Sequence, residues 1–171
     1  SKHFKDKYVP FDETFVGIAP PYLYVEHLTN LINAHGLNIK IGVQDIDNSS
    51  GARTSAISVD MIQDMECQFT IIGHSERRNI FDESDKSISA KLDSVGSKVA
   101  TILCIGESAE ENKNKNTKNV LKQQLSVIKG KVLSSSFSVA YEPVWAIGTG
   151  NTPTPDEIND IHKFIKDVVQ S

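Results

Sequence analysis

Short apolar runs alternate with amphipathic stretches along the whole chain. Five runs, residues 14–18, 40–43, 69–72, 99–105 and 138–141, are apolar or β-branched without strict alternation. That pattern predicts strands of a parallel sheet, buried on both faces. Helical spacing fills the gaps. Tyr24, Leu28, Leu31 and Ile32 share one face, and so do Ile88, Leu92 and Val95, and then Leu121, Leu125 and Ile128. Ser58 is placed to cap a helix running through Met61, Ile62 and Met65. The last helix has the clearest start: Thr154-Pro155-Asp156-Glu157 offers an N-cap threonine, proline at the first helical position and glutamate at the third. Ile158, Ile161, Ile165 and Val168 trace its inner face. Strand and helix in strict alternation imply right-handed βαβ units, an α/β fold around a parallel sheet. Residues 110–118, rich in Glu, Asn and Lys, read as a solvated loop leading into a helix. No repeat period and no linker interrupts the chain, so residues 1–171 are expected to form a single domain.

Composition narrows the class. A net charge of −4 and 39% hydrophobic content suit a soluble globular chain rather than a disordered one. The mild acidity gives no reason to expect nucleic acid or an anionic membrane as partner. No apolar run approaches the roughly 20 residues of a membrane span, and the polar start lacks a secretion signal. Cys67 and Cys104 lie beside and within apolar runs, which fits inert core thiols and a reducing cytoplasm better than a disulfide. No Cys/His cluster has metal-ligand spacing, so no metal is expected.

In parallel α/β folds functional residues gather at the carboxyl ends of strands. Here those ends carry Gln44-Asp45, then Gly73-His74-Ser75-Glu76-Arg77-Arg78, then Gly106-Glu107, then Glu142. Polar groups from four strands converging on one face point to an enzyme. Residues 140–150 are the most informative stretch: a strand through Val139 and Tyr141 runs into Glu142, followed by Pro143, Val144 and Trp145 and a tip holding Gly148 and Gly150. A carboxylate at a strand end beside a hinged loop suits a general base with a lid. Taken alone, the stretch reads equally as a strand end with a surface glutamate and a glycine turn. His74 follows its strand through one glycine, and Ser75 is placed to cap a helix starting there. The positive end of that helix would keep the imidazole neutral, suited to donating a hydrogen bond or shuttling a proton. A core histidine bonded to a carbonyl is an equal alternative on that residue alone.

Ile72-Gly73-His74-Ser75-Glu76-Arg77-Arg78 together with residues 140–150 closely resembles the triosephosphate isomerases. Residues 51–54, 81–85 and 102–107 match the same family in order and spacing. The family is itself a standard example of a glutamate base, a neutral histidine electrophile and a closing loop, so these roles come from the resemblance. It implies a (β/α)8 barrel, no cofactor and a triose phosphate substrate. It implies Glu142 as the base moving a proton between adjacent carbons, His74 as the group polarising the oxygens, and Glu76 as a second carboxylate near the site. Pro143, Val144 and Trp145 resemble the first lid hinge and Ala146, Ile147 and Gly148 its tip, with the Gly148 N–H on the phosphate and Gly150 beyond. The family is typically a homodimer; its interface loop corresponds to residues 44–55, from Gln44, with Thr54 resembling the residue that reaches the partner's site.

Three departures stand out. Ser55-Ala56 occupy the place where the family usually has glycine and an acidic residue, so Arg77 is expected to lose the carboxylate partner it would have had there. Asn151-Thr152-Pro153 replaces a common Lys-Thr-Ala at the second lid hinge. The family barrel has eight strands in about 250 residues, and the five runs here resemble its second through sixth. No stretch matches the first strand, which would carry an asparagine and the active-site lysine, nor the seventh and eighth, which would bind phosphate. A piece of a longer enzyme is therefore expected, with impaired activity in isolation. The competing class is a non-catalytic phosphate-binding or interaction module; the unmatched lysine favours it, while Glu142 and His74 oppose it.

Overall fold

The computed structural model describes residues 16–49 and 51–170. Its core is one five-stranded sheet in the order β1-β2-β3-β4-β5: Gly17–Ile18, Lys40–Val43, Phe69–Ile72, Ala100–Ile105 and Ser138–Tyr141. Every pairing is parallel. Each crossover is helical: α1 (Val25–His35), α2 (Val59–Asp64), α3 (Ser75–Ile80) with α4 (Asp85–Val95), and α5 (Ala109–Lys113) with α6 (Thr117–Leu125). α7 (Pro155–Gln170) follows β5. The sheet curls as part of a barrel, as the family resemblance implies. Thr14 and Phe15, the start of the first expected strand, lie outside the described residues.

The apolar runs form strands because their side chains fill the layer between sheet and helices. Ile72 of β3, Leu103 of β4 and Ile88 of α4 are fully buried and belong to one cluster with Leu92, Val95 and Leu121. Burial on both faces holds only for the middle of the sheet. β1 is exposed along its two residues, and β5 is exposed at Ser138 and half-buried from Val139 to Tyr141. Among the described residues β5 ends the sheet, with no strand to cover its outer side.

Helix caps follow the sequence closely. Ser58 accepts the Met61 N–H, and Thr154 and Glu157 form a reciprocal pair at the start of α7. Two helical faces differ in detail. α1 buries Val25 and Ile32 while Tyr24 is exposed, and α2 buries Val59 and Ile62 while Met61 and Met65 are exposed. Unbranched or amphipathic side chains tolerate those edges of a helix. Residues 110–118 are largely helical: α5 starts with a full capping box between Ser108 and Glu111. Among the described residues no helix is long and apolar enough to cross a membrane.

Candidate functional site

Strand register sets the site. Ile72 pairs with Leu103 and Ile105 with Tyr141, so the residues after β3, β4 and β5 emerge side by side at the carboxyl end of the sheet. The Glu142 N–H continues the ladder to the Ile105 carbonyl at 2.8 Å. Gly106 makes this approach possible. A Cβ there would overlap the Glu142 carbonyl oxygen, and the Gly106 peptide is held at both ends by the Gln124 amide, at 2.8 and 3.0 Å.

Glu142 and His74 meet. Glu142 Oε1 lies 3.0 Å from His74 Nε2, and Glu142 Oε2 accepts the Ser75 N–H at 2.9 Å. His74, not Ser75, caps α3: its Nδ1 accepts the Glu76 N–H at 3.3 Å. Ser75 instead begins the helix, with its N–H on the Glu142 carboxylate. An imidazole that accepts at Nδ1 carries the proton of its neutral form on Nε2. That proton faces Glu142. The Cys104 thiol lies beside the same carboxylate, and burial, reinforced by the Glu142 charge, pushes it up to about 12. It is a neutral wall to the site. Glu142 borders a cavity of about 250 Å³ with Gly73, Ser75, Arg78 and Val144; His74 borders another of about 340 Å³ with Tyr22, Asp45 and Arg77. The pair stands between the two. Glu76 is apart from it, 72% exposed at its side chain, with its carboxylate 3.8 Å from His74 Nδ1.

The loop after Glu142 is a series of turns. Ala146 N–H bonds Pro143 O at 2.8 Å, and Ile147 N–H bonds Val144 O at 3.3 Å. Ile147, Gly148 and Gly150 stand in solvent, and both glycines adopt positive φ, +72° and +79°, which L side chains rarely tolerate. Trp145 ties this loop down: its Nε1–H donates to Glu107 Oε1 at 2.8 Å. Glu107 is fully buried and also accepts from Tyr141 Oη at 3.0 Å, Asn112 at 3.1 Å and Thr117 at 3.3 Å. Burial, with the Glu107 charge next, raises the Tyr141 phenol well above its usual range, so it stays a donor.

Residue 56, an alanine, offers Arg77 no carboxylate, but two other carboxylates face it. Its Nε lies 3.2 Å from Asp45 Oδ2 and 3.9 Å from Glu83 Oε2, and its guanidinium sits 4.4 Å above the Phe81 ring. Buried Lys91 completes the cluster, touching both Asp45 oxygens at 2.7 and 2.6 Å and pairing with Glu83. Sequence reasoning passed over Lys91 and Gln124, although a signal existed. Lys91 falls on the apolar stripe of Ile88, Leu92 and Val95, and Gln124 on that of Leu121, Leu125 and Ile128. A polar residue on a buried stripe announces a buried partner. Gln44 donates to the Ala19 carbonyl at 3.1 Å, and Thr54 is exposed on a loop fastened by Arg53 to Asp47 at 3.2 Å. No group of three or more metal-ligating side chains exists among the described residues.

The sequence profile of the family described as "Triosephosphate isomerase" matches residues 2–171. Curated relatives of that same name are similar over most of the chain. One from Hydrogenovibrio crunogenus is 38% identical, covering 90% of this chain and 62% of the relative. One from Erwinia tasmaniensis is 42% identical, with 89% and 61% covered. One from Legionella pneumophila is 36% identical, with 96% and 67% covered. The chain thus spans about three-fifths to two-thirds of these relatives' length.

Proposed function

Since this chain belongs to the triosephosphate isomerase family, we propose that it interconverts dihydroxyacetone phosphate and D-glyceraldehyde 3-phosphate by proton transfer through an enediolate. The observation that carries this reading is the 3.0 Å approach of Glu142 to His74 at the shared end of β3 and β5. A carbon acid α to a carbonyl is weak, so its removal needs a base and a donor acting together. Glu142 is the base and His74 the donor, its Nε2 proton turned to the carbonyl and then to the enediolate oxygens. The family exemplifies these roles, and they are carried over here residue by residue. In the present structure each group satisfies the other. Substrate must therefore separate them, taking the His74 proton with its oxygen and presenting its C–H to Glu142, which gives up the Ser75 N–H. The loop of Pro143, Val144, Trp145, Ala146, Ile147, Gly148 and Gly150 closes over the intermediate, with the Gly148 N–H on the phosphate. Excluding water there prevents loss of the phosphate. Glu76 acts as a second carboxylate at the rim.

The 171 residues form one partial barrel domain in this reading, working in the cytoplasm as part of a homodimer joined through residues 44–55. No counterpart of the family's lysine is present in the sequence. A missing cation opposite a phosphate dianion costs several kcal/mol, or roughly 10³-fold in rate. A coupled isomerisation assay tests the proposal. We expect the 171-residue chain to turn over about 10³-fold more slowly than a complete relative, and His74→Gln to lose a further factor of roughly 10² or more. Full turnover without the lysine, or an indifferent His74→Gln, overturns it.

A further inference from the structure

We propose that Asp45 is a positioning residue for His74: from the end of β2 it holds Arg77, fixes the rotation of α3, and so aims the imidazole at that helix's start. Asp45 joins several separate elements. Its carboxylate contacts Lys91 of α4 with both oxygens and faces Arg77 of α3, while its carbonyl accepts from the Tyr22 hydroxyl. The helix it restrains has six residues and begins on His74. So short a helix has little side-chain contact of its own to fix its direction.

Two consecutive arginines supply that restraint. Successive helical residues point about 100° apart. Arg77 reaches Asp45 and Glu83 on one side. Arg78 reaches the Gly73 carbonyl at 2.8 Å, Asp85 at 2.7 Å and the Cys104 carbonyl at 3.3 Å on the other. With arms in two directions, α3 cannot roll, and the His74 Nε2 stays on Glu142. Replacing Asp45 leaves Arg77 with only Glu83 at 3.9 Å and the Phe81 ring on its side, a looser hold on the rotation of α3.

The chemistry of Asp45 suits geometry better than stability. Burial raises its carboxyl above the usual range, and the hydrogen bond and charge of Lys91 offset this only in part. A carboxylate whose ionised form is disfavoured by burial is a poor source of folding energy. Its charge still draws the Arg77 guanidinium to within 3.2 Å as an ion pair, without a hydrogen bond to Nε. Ser55 and Ala56 offer no carboxylate from the neighbouring loop, so Asp45 and Glu83 share that work.

The inference rests on the reading of His74 as the donor, but its test reads the imidazole and not turnover. An inactive chain whose His74 still responds to position 45 refutes that reading alone. The chain is labelled with ¹⁵N-histidine, and long-range ¹H–¹⁵N spectra of native and Asp45→Asn protein are compared at one pH. The native His74 should show widely separated Nδ1 and Nε2 signals, with the proton on Nε2. In Asp45→Asn the separation should collapse towards mixed tautomers while His27, His35 and His162 stay unmoved and the thermal midpoint changes little. Arg77→Lys, which keeps the charge but loses the planar guanidinium over Phe81 and its place beside Asp45, should reproduce the effect and carries the test if Asp45→Asn does not fold. An unchanged His74 in the folded variants, or equal shifts at His27, His35 and His162, overturns the proposal.

Discussion

Gly106 shows how little room the site leaves at the level of single residues. Its missing side chain is what lets the Glu142 backbone lie against β4. Gly106→Ala should cost about 1–3 kcal/mol by overpacking and displace Glu142; urea unfolding and the chemical shift of the Ser75 N–H check both effects. The thiols give a second test. Burial raises both Cys67 and Cys104, the latter to about 12. Only the thiolate reacts, so neither should react with a disulfide reagent at pH 8 in the native state, and both should react once denatured. Glu142 and His74 were legible in the sequence because Glu142 follows an apolar run directly and His74 follows one through a single glycine. Asp45 was legible as a polar residue just past a strand, but its role was not. Its importance comes from Arg77, Lys91 and Glu83, which lie 32, 46 and 38 positions away along the chain, and spacing carries no sign of such a meeting. The same distance hid the two carboxylates, Asp45 and Glu83, that face Arg77 although residue 56 is alanine.

Secondary-structure elements answer to burial and caps. α4 is the most deeply set helix, with Ile88, Leu92 and Val95 at 1% exposure or less. Leu92→Ala should cost about 2–5 kcal/mol, measured as a shift of the urea midpoint. α7 depends on its first turn, where Thr154 and Glu157 exchange hydrogen bonds. Thr154→Ala should cost about 1 kcal/mol. Backbone and side-chain bonds from Thr154 lower the Glu157 carboxyl below its usual value. A depressed folded-state value means that this support is present above the unfolded value and is lost as pH falls through the folded one. The difference between native and Thr154→Ala should therefore narrow on acidification. Elements were legible where periodicity and caps agreed, as in α4 and α7. Residues 110–118 misled because their composition is polar throughout. Helices α5 and α6 form there through the Ser108–Glu111 capping box and through Asn112 and Thr117 on the buried Glu107.

On the scale of the whole molecule, five parallel strands build the wall that carries Glu142 and His74 and leave β5 uncovered on its outer side among the described residues. An unpaired edge with a half-buried face favours association, so the sedimentation coefficient should rise with concentration in the micromolar range. The parallel order and the shared strand ends were readable from alternating runs. The curl that brings β3 and β5 close enough for a 3.0 Å contact was not, since it arises from sheet twist and packing across the whole layer. That contact is the account's central claim, and hydrogen exchange at substrate carbon tests it most directly. Proton NMR in D2O follows deuterium entering dihydroxyacetone phosphate in the presence of the native chain or Glu142→Gln. The account predicts exchange above the buffer rate with the native chain and a return to the buffer rate with Glu142→Gln. Equal exchange by the two proteins, or none above buffer by the native chain, would contradict it.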